Sequence, residues 1–380
     1  MKKILSNSLR TSFQRAYLGS LTSSVYYPTI CTFLINDKER QQLKSVLLSA
    51  PSPYTRREEH LLFSYQKVVS ELPLGAVALL RSFKTNPNIG SVLLFKNLPL
   101  DDGLPNTPFD GKRAVYKKSF ISEACLTGFS QVLGDVYGYT HEKEGEIIHN
   151  ICPIKNQEES ISNEGSKQQL HFHTENAYFE FRPDYLSFYC LRPDHERNAI
   201  FNVIDVSELL RGLSEAEIET LKAPLFRVPT PDLLTKTYGK VLWSGLRPIL
   251  SGSLYSPNLL LFLPEMKANT REANNVYEKI KQNILNSDIK SYGIKLEKGD
   301  LVIVNNRRAI HGRSAFTPRY DRKDRWLQRV YITNSLLDKH VYHQKDFRVL
   351  LDEKETNSLW VEKENREFKL KTHIEIPLKS

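Results

Sequence analysis

The chain has 380 residues, of which 40% are hydrophobic and 10% aromatic, so it is long enough to bury a sizeable core as one large domain or two small ones. Its formal net charge is +9, but the 53 Lys and Arg residues are spread along the chain, often beside acids, which favours a solvated surface over a nucleic-acid site. No run of about eighteen apolar residues indicates a membrane span, and the four cysteines form no C-x-x-C pair, which argues against a zinc framework or a disulfide scaffold.

The first 36 residues contain no Asp or Glu but several Lys, Arg and Ser residues. Transit peptides share this composition, and a loosely ordered N-terminal arm over residues 1–25 is the simpler interpretation. Residues 26–380 are predicted to form one domain.

The first elements of that domain are predicted from capping signals and apolar periodicity. Residues 26–34 are predicted to form a strand, and Asn36 to cap the helix that follows. A second helix is expected from about Arg57 to Ser70, a strand from Ser91 to Leu98, and a helix from Phe120 to Val136. No catalytic or metal-binding residues are predicted in these elements. Their pattern is typical of the segments that surround an enzyme core.

An apolar strand from Glu146 to Pro153 is predicted to lead into a polar loop, and the strand after it carries a pattern that suggests a metal site. His173 and Glu175 are two residues apart, so on an extended strand both side chains point to the same face. One imidazole and one carboxylate then converge. The pattern alone is weak, because histidine and glutamate often lie near each other by chance.

The middle of the chain is predicted to alternate strands and helices. Residues 184–205 are predicted to form two antiparallel strands around a turn at Arg192, and Ser214 has the pattern of a capping box that opens a helix. Residues 224–270 are predicted to contain strands and loops, and residues from Arg271 to Asn286 to form an amphipathic helix.

A second histidine strengthens the metal hypothesis. The turn and apolar strand from Gly299 to Asn305 deliver His311 shortly afterwards. His173, Glu175 and His311 would place two imidazoles and one carboxylate on one face of an octahedral ion and leave three positions open. This is the ligand set of non-haem Fe(II) oxygenases. Because 136 residues separate Glu175 from His311 (311 minus 175), the set favours one domain.

The last strand of interest places Arg325, Arg329 and Tyr331 on one face by its period of two. Two arginines that point into a barrel are costly to bury unless each meets an anion. Bound carboxylates would satisfy them, because the arginine fork suits carboxylate recognition. Salt bridges to Asp321 or Asp324 are the alternative.

Two long segments resemble the clavaminate synthase-like branch of the Fe(II)/2-oxoglutarate dioxygenases, which includes hydroxylases of free arginine, asparagine and lysine. They are Ile148–Glu196, with "HNICPI" and "FHTENAYFEFRPDYLSFYCLRPDHER", and the later "GDLVIVNNRRAIHGRSAFTPRYDRKDRWLQRVYIT". The resemblance covers most of residues 140–335, the expected metal-site core. It implies a mainly β fold with surrounding helices (α+β), built on a double-stranded β-helix or jelly-roll core.

The resemblance also implies roles for named residues. Fe(II) would be held by His173, Glu175 and His311, and would bind 2-oxoglutarate as co-substrate together with O2. Arg325 would hold the distal carboxylate of 2-oxoglutarate, and Arg329 the α-carboxylate of an amino acid. Because Glu175 is present, halogenation is not expected, since related halogenases replace this carboxylate with a small residue.

Further substrate contacts are implied with less exact alignment. Glu142 or Glu144, together with Asn163, would hold the ammonium or carboxylate of the substrate. Glu265 alone remains where arginine-specific relatives carry several acids, which weakens the expectation of an arginine substrate and leaves a single ammonium group or an uncharged side chain open. Phe201 stands where relatives often place a threonine that bonds 2-oxoglutarate.

The leading hypothesis is hydroxylation of an unactivated side-chain carbon of a free L-amino acid (lysine, arginine or similar) in specialised metabolism such as antibiotic biosynthesis. Fe(II) and free thiols favour a cytoplasmic location. One alternative is a sibling oxygenase that desaturates or cyclises its substrate, or acts on a carrier-bound or peptide residue. Others are a non-catalytic metal-binding jelly-roll protein and a nucleic-acid demethylase, the last suggested only by net charge. No membrane or nucleic-acid partner is expected, and the oligomeric state stays open.

Overall fold

The computed structural model describes residues 28–114, 116–160, 164–254, 256–337, 342–343 and 346–350. Its strands, in chain order, are β1 (Ile30–Leu34), β2 (Val92–Lys96), β3 (Asp135–Tyr139), β4 (His149–Ile151), β5 (Leu170–His173), β6 (Tyr185–Arg192), β7 (Ile200–Asp205), β8 (Phe226–Arg227), β9 (Leu250–Ser253), β10 (Ser256–Leu259), β11 (Lys267–Ala268), β12 (Tyr292–Lys295), β13 (Leu301–Asn305), β14 (Ala309–Arg313), β15 (Trp326–Thr333), β16 (Tyr342–His343) and β17 (Asp346–Leu350). Its α-helices are α1 (Asp37–Leu47), α2 (Arg57–Glu71), α3 (Leu74–Thr85), α4 (Ile121–Leu133), α5 (Val206–Leu210), α6 (Glu215–Lys222), α7 (Asp232–Tyr238) and α8 (Arg271–Leu285).

Two sheets form the core of the fold. The major sheet has the strand order β1-β2-β13-β6-β15-β3-β17-β16, with β4 paired to β15, and the minor sheet has the order β12-β7-β14-β5. Buried side chains from both sheets meet in one cluster, in which Phe188 and Leu327 of the major sheet join Phe201 and Ile294 of the minor sheet. Two facing sheets with an apolar filling are the jelly-roll architecture, so the predicted double-stranded β-helix is confirmed.

Helices cover the outer face of the major sheet. The buried side chains of α1 to α4 form a second apolar cluster with outward residues of the sheet, among them Trp326 and Val330. The opposite face of β15 carries Leu327 and Tyr331, which lie in the cluster between the sheets. The alternation predicted for this strand is therefore confirmed, and it turns the arginine-bearing face toward the space between the two sheets.

The outer face of the minor sheet is covered by residues from the middle of the chain. Helix α8 packs there through an apolar stripe that includes Val276 and Ile280. Ile204 and Ile310 contribute from the minor sheet. The metal ligands of β5 and β14 are thus carried by a sheet that is packed on both faces.

Several predicted elements are confirmed with small shifts of their ends. Asn36 caps α1 through a capping box with Glu39, and Ser214 caps α6 in the same way with Glu217. Helices α2, α4 and α8 occupy the predicted positions. Helices α3 and α7 were not predicted. The arm expected for residues 1–25 lies outside the described residues, and the single domain over 26–380 stays a prediction.

The pairing predicted for residues 184–205 is wrong. Strand β6 pairs with β13 and β15 in the major sheet, whereas β7 pairs with β12 and β14 in the minor sheet. The connection after Arg192 therefore crosses between the two sheets instead of closing a hairpin. Both segments have the apolar pattern of buried strands. That pattern does not identify the neighbouring strand with which each of them pairs.

None of the helices in the described residues is both long enough and apolar enough to span a membrane.

Candidate metal centre

Strands β5 and β14 bring the three predicted metal ligands together. His173 and His311 are paired across the two antiparallel strands. The Oε2 atom of Glu175 lies 3.6 Å from Nε2 of His173 and 3.3 Å from Nε2 of His311. However, β5 ends at His173, so the prediction that His173 and Glu175 share one extended strand is wrong. A turn, not strand alternation, delivers the carboxylate.

Asn306 holds that turn in place. Its side-chain oxygen accepts a hydrogen bond from the Glu175 backbone nitrogen at 2.8 Å. Its amide nitrogen donates to the carbonyl oxygens of Glu175 at 3.2 Å and Pro183 at 2.9 Å. Asn306 is fully buried, so it fixes the peptide that carries the carboxylate ligand without facing the metal position itself.

The donor atoms fit a divalent metal ion. Two ligand atoms about 2.1 Å from one ion and at right angles to each other lie about 3 Å apart, close to the separations seen here. The Oε2 atom of Glu175 is buried and has no hydrogen-bond partner among the described residues. His173 Nδ1 donates to the His171 carbonyl oxygen at 2.8 Å, which leaves Nε2 as the ligand atom. His171 therefore supports the site through its backbone.

Protonation in the metal-free site also favours metal binding. Burial opposes the charge of Glu175, but Arg329 and the two histidines outweigh it and hold the pKa of Glu175 well below its usual range. Burial and the charge of His173 lower the pKa of His311 to about 4. At neutral pH the site therefore offers one carboxylate and a neutral His311 imidazole, the forms that bind metal.

A hydrogen-bond network fixes the second oxygen of the carboxylate ligand. Arg329 Nη1 and the Tyr331 hydroxyl donate to Glu175 Oε1 at 2.8 and 3.1 Å. Arg329 Nη2 also donates to Glu142 Oε2 at 3.1 Å and lies 2.8 Å from His149 Nδ1. The Tyr331 hydroxyl oxygen lies 2.7 Å from Glu142 Oε2, so its one proton is shared between the two carboxylates. With Oε1 engaged in this way, only Oε2 is directed between the histidines, which favours a single metal bond from Glu175.

The ion pair in this network predicts a pH-dependent stability. Burial opposes the charge of Glu142, but His141 and Arg329 lower its pKa from 4.5 to about 2. A carboxyl group whose folded pKa lies below its unfolded value stabilises the fold above the unfolded pKa, and this contribution is lost as pH falls toward the folded pKa. We expect metal-free Glu142→Gln to lack up to about 3 kcal/mol of stability that the unmodified protein shows near neutral pH.

Denaturant unfolding at pH values from about 6 to about 2.5 measures this difference, which should shrink as pH falls through the window from 4.5 toward 2. Glu144→Gln removes an exposed acid two residues away and should follow the pH profile of the unmodified protein. A constant gap between the Glu142→Gln and unmodified profiles would show that the ion pair does not set the stability.

A cavity of about 1010 Å³ opens beside the ligands. Its wall includes His173, Glu175, Glu142 and Arg329. Glu144 and Glu265 also line this cavity, and both are exposed. The substrate contact predicted for Asn163 lies outside the described residues. The cavity is thus open to solvent and reaches the metal position, but the roles predicted for these acids stay predictions.

Arg325 lies apart from Arg329, in a smaller cavity next to His311. Arg325 is 6% exposed, and within the described residues neither arginine pairs with Asp321 or Asp324. Asp321 instead contacts His195 at 3.2 Å. The salt-bridge alternative for the two arginines is therefore wrong. Burial lowers the pKa of Arg325, because loss of solvent disfavours the charged form of a cation.

Phe201, which is predicted to stand where relatives often carry a threonine, packs against a predicted metal ligand. Its ring is stacked on that of His311, with centroids 5.6 Å apart and an interplanar angle of 14°. An aromatic surface thus stands where a hydroxyl was expected from the resemblance. The ring packs the His311 imidazole in its orientation, but it offers no hydrogen bond to a co-substrate.

Four residues at the site were not predicted as functional. Tyr331 could have been found, because it shares the inward face of β15 with the two arginines. His149 and His141 both line the large cavity, and within the described residues neither of the buried ring nitrogens of His141 has a hydrogen-bond partner. No periodic pattern in the sequence indicated Asn306, since it lies in a turn and its side chain bonds to backbone atoms of other residues.

A second group with metal-like composition lies elsewhere. His195, Asp321 and Asp324 bring their ligand atoms within 4.8 Å of one another. However, Asp321 and Asp324 accept hydrogen bonds from the backbone nitrogens of Lys323 and Arg319. These carboxylates therefore order a turn.

Comparisons with known proteins agree with this geometry. The model of the taurine catabolism dioxygenase TauD, TfdA family matches residues 243–331. The chain is 32% identical over 273 residues to L-asparagine oxygenase from Streptomyces coelicolor, covering 71% of this chain and 79% of that protein. It is 32% identical over 274 residues to clavaminate synthase 2 from Streptomyces clavuligerus, covering 70% and 81%. A solved structure of asparagine oxygenase with Fe(II), 2S,3S-3-hydroxyasparagine and succinate is similar with a TM-score of 0.74 and 27% identity, covering 84% of this chain and 99% of that one.

Proposed function

Because the chain belongs to the clavaminate synthase-like branch of the Fe(II)/2-oxoglutarate-dependent dioxygenases, we propose that it hydroxylates an unactivated side-chain carbon of a free L-amino acid. When bound, Fe(II) would couple the reduction of O2, the oxidant, to two oxidations: 2-oxoglutarate becomes succinate and CO2, and the substrate C–H bond becomes C–OH, with one oxygen atom of O2 going to each product. The protein holds the ion through His173, Glu175 and His311 and positions one carbon beside it. The observation that carries the proposal is that two of these ligands, His173 and Glu175, line a large cavity whose wall also holds a paired Glu142 and Arg329.

The Glu142–Arg329 pair suits the charged head of a free amino acid. Such a molecule brings one ammonium and one carboxylate, which complement the carboxylate of Glu142 and the guanidinium of Arg329. Binding such a head group would break the Glu142–Arg329 ion pair and form two new ones, between Glu142 and the ammonium and between Arg329 and the carboxylate. No buried charge would then lack a partner. A peptide-bound residue lacks both head charges, and a residue loaded on a carrier through its carboxyl group lacks the anionic one, so neither could replace the Glu142–Arg329 ion pair with two new ones.

The lining of the cavity supports a cationic side chain. Among the described residues that line it, eight are acidic and four are basic. The acidic ones are Asp110, Glu142, Glu144, Glu146, Glu164, Glu175, Asp232 and Glu265, and the basic ones are Lys112, Arg113, Lys143 and Arg329. Negative potential in a cavity concentrates cations. We therefore place lysine, arginine and similar amino acids first among the candidate substrates.

The test is anaerobic reconstitution with Fe(II) and 2-oxoglutarate, followed by O2 and single L-amino acids, with succinate and a product one oxygen atom heavier followed by mass spectrometry. We expect one cationic amino acid to give both products, and its Nα-acetyl derivative to give neither. Glu142→Gln should raise KM for that amino acid at least about 10-fold, as loss of a charged hydrogen bond predicts. Oxidation of the acetylated form at a similar rate would contradict recognition of a free head group, and succinate without an oxygenated product would move the substrate to a larger molecule.

We also propose that the protein works in a reducing compartment, the cytoplasm, on a precursor of a specialised metabolite. Cys125, Cys152 and Cys190 are buried free thiols, and Fe(II) stays available in its reduced form where thiols persist. Recovery of the active protein from a secreted fraction would contradict this location.

A further inference from the structure

Two arginines converge on the small cavity beside His311. Arg313, at the end of β14, is 4% exposed, and Arg325 is 6% exposed. Both line this cavity together with His311. Both guanidinium groups also lie over the ring of Phe316, at 5.1 and 5.7 Å from its centroid. The cavity therefore has two buried cations at one end and a metal ligand in its wall.

Neither cation has a carboxylate partner. In the part of the chain that the structure describes, no Asp or Glu oxygen lies within 4.0 Å of either guanidinium. Arg313 donates through Nε and Nη2 to the carbonyl oxygens of Ser314 and Gln168, each at 3.1 Å. Asp194, an acid whose charge acts on Arg325, has its oxygens occupied by backbone nitrogens of its own turn.

The electrostatics of the pair require an anion. Two like charges in a buried cavity raise each other's energy, and a carboxylate placed between them removes that cost. The guanidinium group of Arg313 still has a donor available for a carboxylate, because within the described residues no protein group accepts a hydrogen bond from its Nη1 atom.

The remaining wall of the small cavity is largely apolar. Side chains of Ile151, Leu170, Phe188 and Leu327 line it together with the two arginines and His311. Such a surface accommodates methylene groups, while the arginines accommodate a terminal carboxylate. Ile151 and Leu170 also line the large cavity, so the two spaces are neighbours.

We propose that Arg313 is a second anchor for the distal carboxylate of 2-oxoglutarate and shares its charge with Arg325. The inference rests on the family's co-substrate and not on the amino acid proposed above. On strand β7, the register partner of Arg313 is Phe201, whose ring offers no donor, so the additional polar contact comes from β14. Arg313 thereby makes co-substrate affinity depend on two cations.

The experiment compares two 2-oxo acids that differ only at the distal end. 2-Oxovalerate has the same carbon chain as 2-oxoglutarate but ends in a methyl group. Binding of each to the anaerobic Fe(II)-loaded protein is titrated by the visible absorption of the chelate, without amino acid and without O2, so turnover is not the readout. Arg313→Gln should weaken 2-oxoglutarate binding at least about 10-fold and leave 2-oxovalerate binding within about 2-fold.

The outcomes separate an anchor from a structural role. Equal weakening of both acids, or no change in either, would overturn the proposal. Arg313→Lys should recover part of the lost 2-oxoglutarate affinity, because it restores the charge without the fork. Arg308→Gln is the matched control: Arg308 is a partly buried arginine that donates to the Ile89 carbonyl oxygen and should leave both affinities unchanged. If the unmodified protein binds neither acid, the assignment of 2-oxoglutarate fails as well, whereas a missing amino acid product would leave this result standing.

Discussion

His311→Ala is expected to weaken Fe(II) binding by at least about 100-fold and to abolish succinate formation. The substitution removes one of three ligands from a site that already leaves positions open for co-substrate and O2, and losing even a supporting contact around a metal costs about 10- to 100-fold in affinity. His311 is buried and stacked on Phe201, so alanine also leaves a cavity that lowers the free energy of unfolding. His311→Gln keeps more of the volume and separates ligand loss from packing loss.

Anaerobic equilibrium dialysis with Fe(II) measures the affinity, and denaturant unfolding of the metal-free variants reports the fold. His195→Ala is the matched control, because His195 lies with two carboxylates in the second cluster and should leave Fe(II) affinity unchanged. If His195→Ala lost the metal and His311→Gln kept it, the metal site would have been assigned to the wrong cluster.

Arg329→Met is expected to lower the free energy of unfolding of the metal-free protein by about 3–5 kcal/mol. The substitution leaves Glu175 and Glu142 buried without their shared cation, and both carboxylates then lose the partner that keeps their pKa values low. Fe(II) affinity should also fall by about 10- to 100-fold, because Glu175 is no longer oriented by a hydrogen bond to Oε1. Urea unfolding and metal titration measure the two effects.

A comparison with an exposed ion pair makes this prediction specific. Arg319 pairs with Glu196 where both side chains are largely exposed, so Arg319→Gln should cost less than about 1 kcal/mol. Adding Glu142→Gln to Arg329→Met should recover part of the stability, because one of the two unmatched carboxylates is removed. Equal losses for Arg329→Met and Arg319→Gln would show that the buried network contributes no more than a surface ion pair.

The sequence predicted helices well where the signal was local. Asn36 and Ser214 were recognised as caps because a capping box uses residues three apart on one turn. Sheet partners were predicted less well: β6 and β7 follow each other in the chain but belong to different sheets. Pairing depends on contacts between distant segments, and the apolar pattern of a buried strand does not identify its neighbour.

The amino-acid sequence alone determined the chemistry of this protein, because the ligand atoms are properties of residue types. The sequence predicts His173, Glu175 and His311 as metal ligands from residue type and spacing, and the resemblance of two long segments to a known family predicts the role of Arg325. Only the tertiary structure decided how the carboxylate reaches the metal position, through a turn fixed by Asn306 and not along a strand. The tertiary structure also decided which buried charges have a partner of opposite charge. Whether a buried arginine has an anionic partner depends on three-dimensional distances between segments more than a hundred residues apart, which spacing along the chain does not encode.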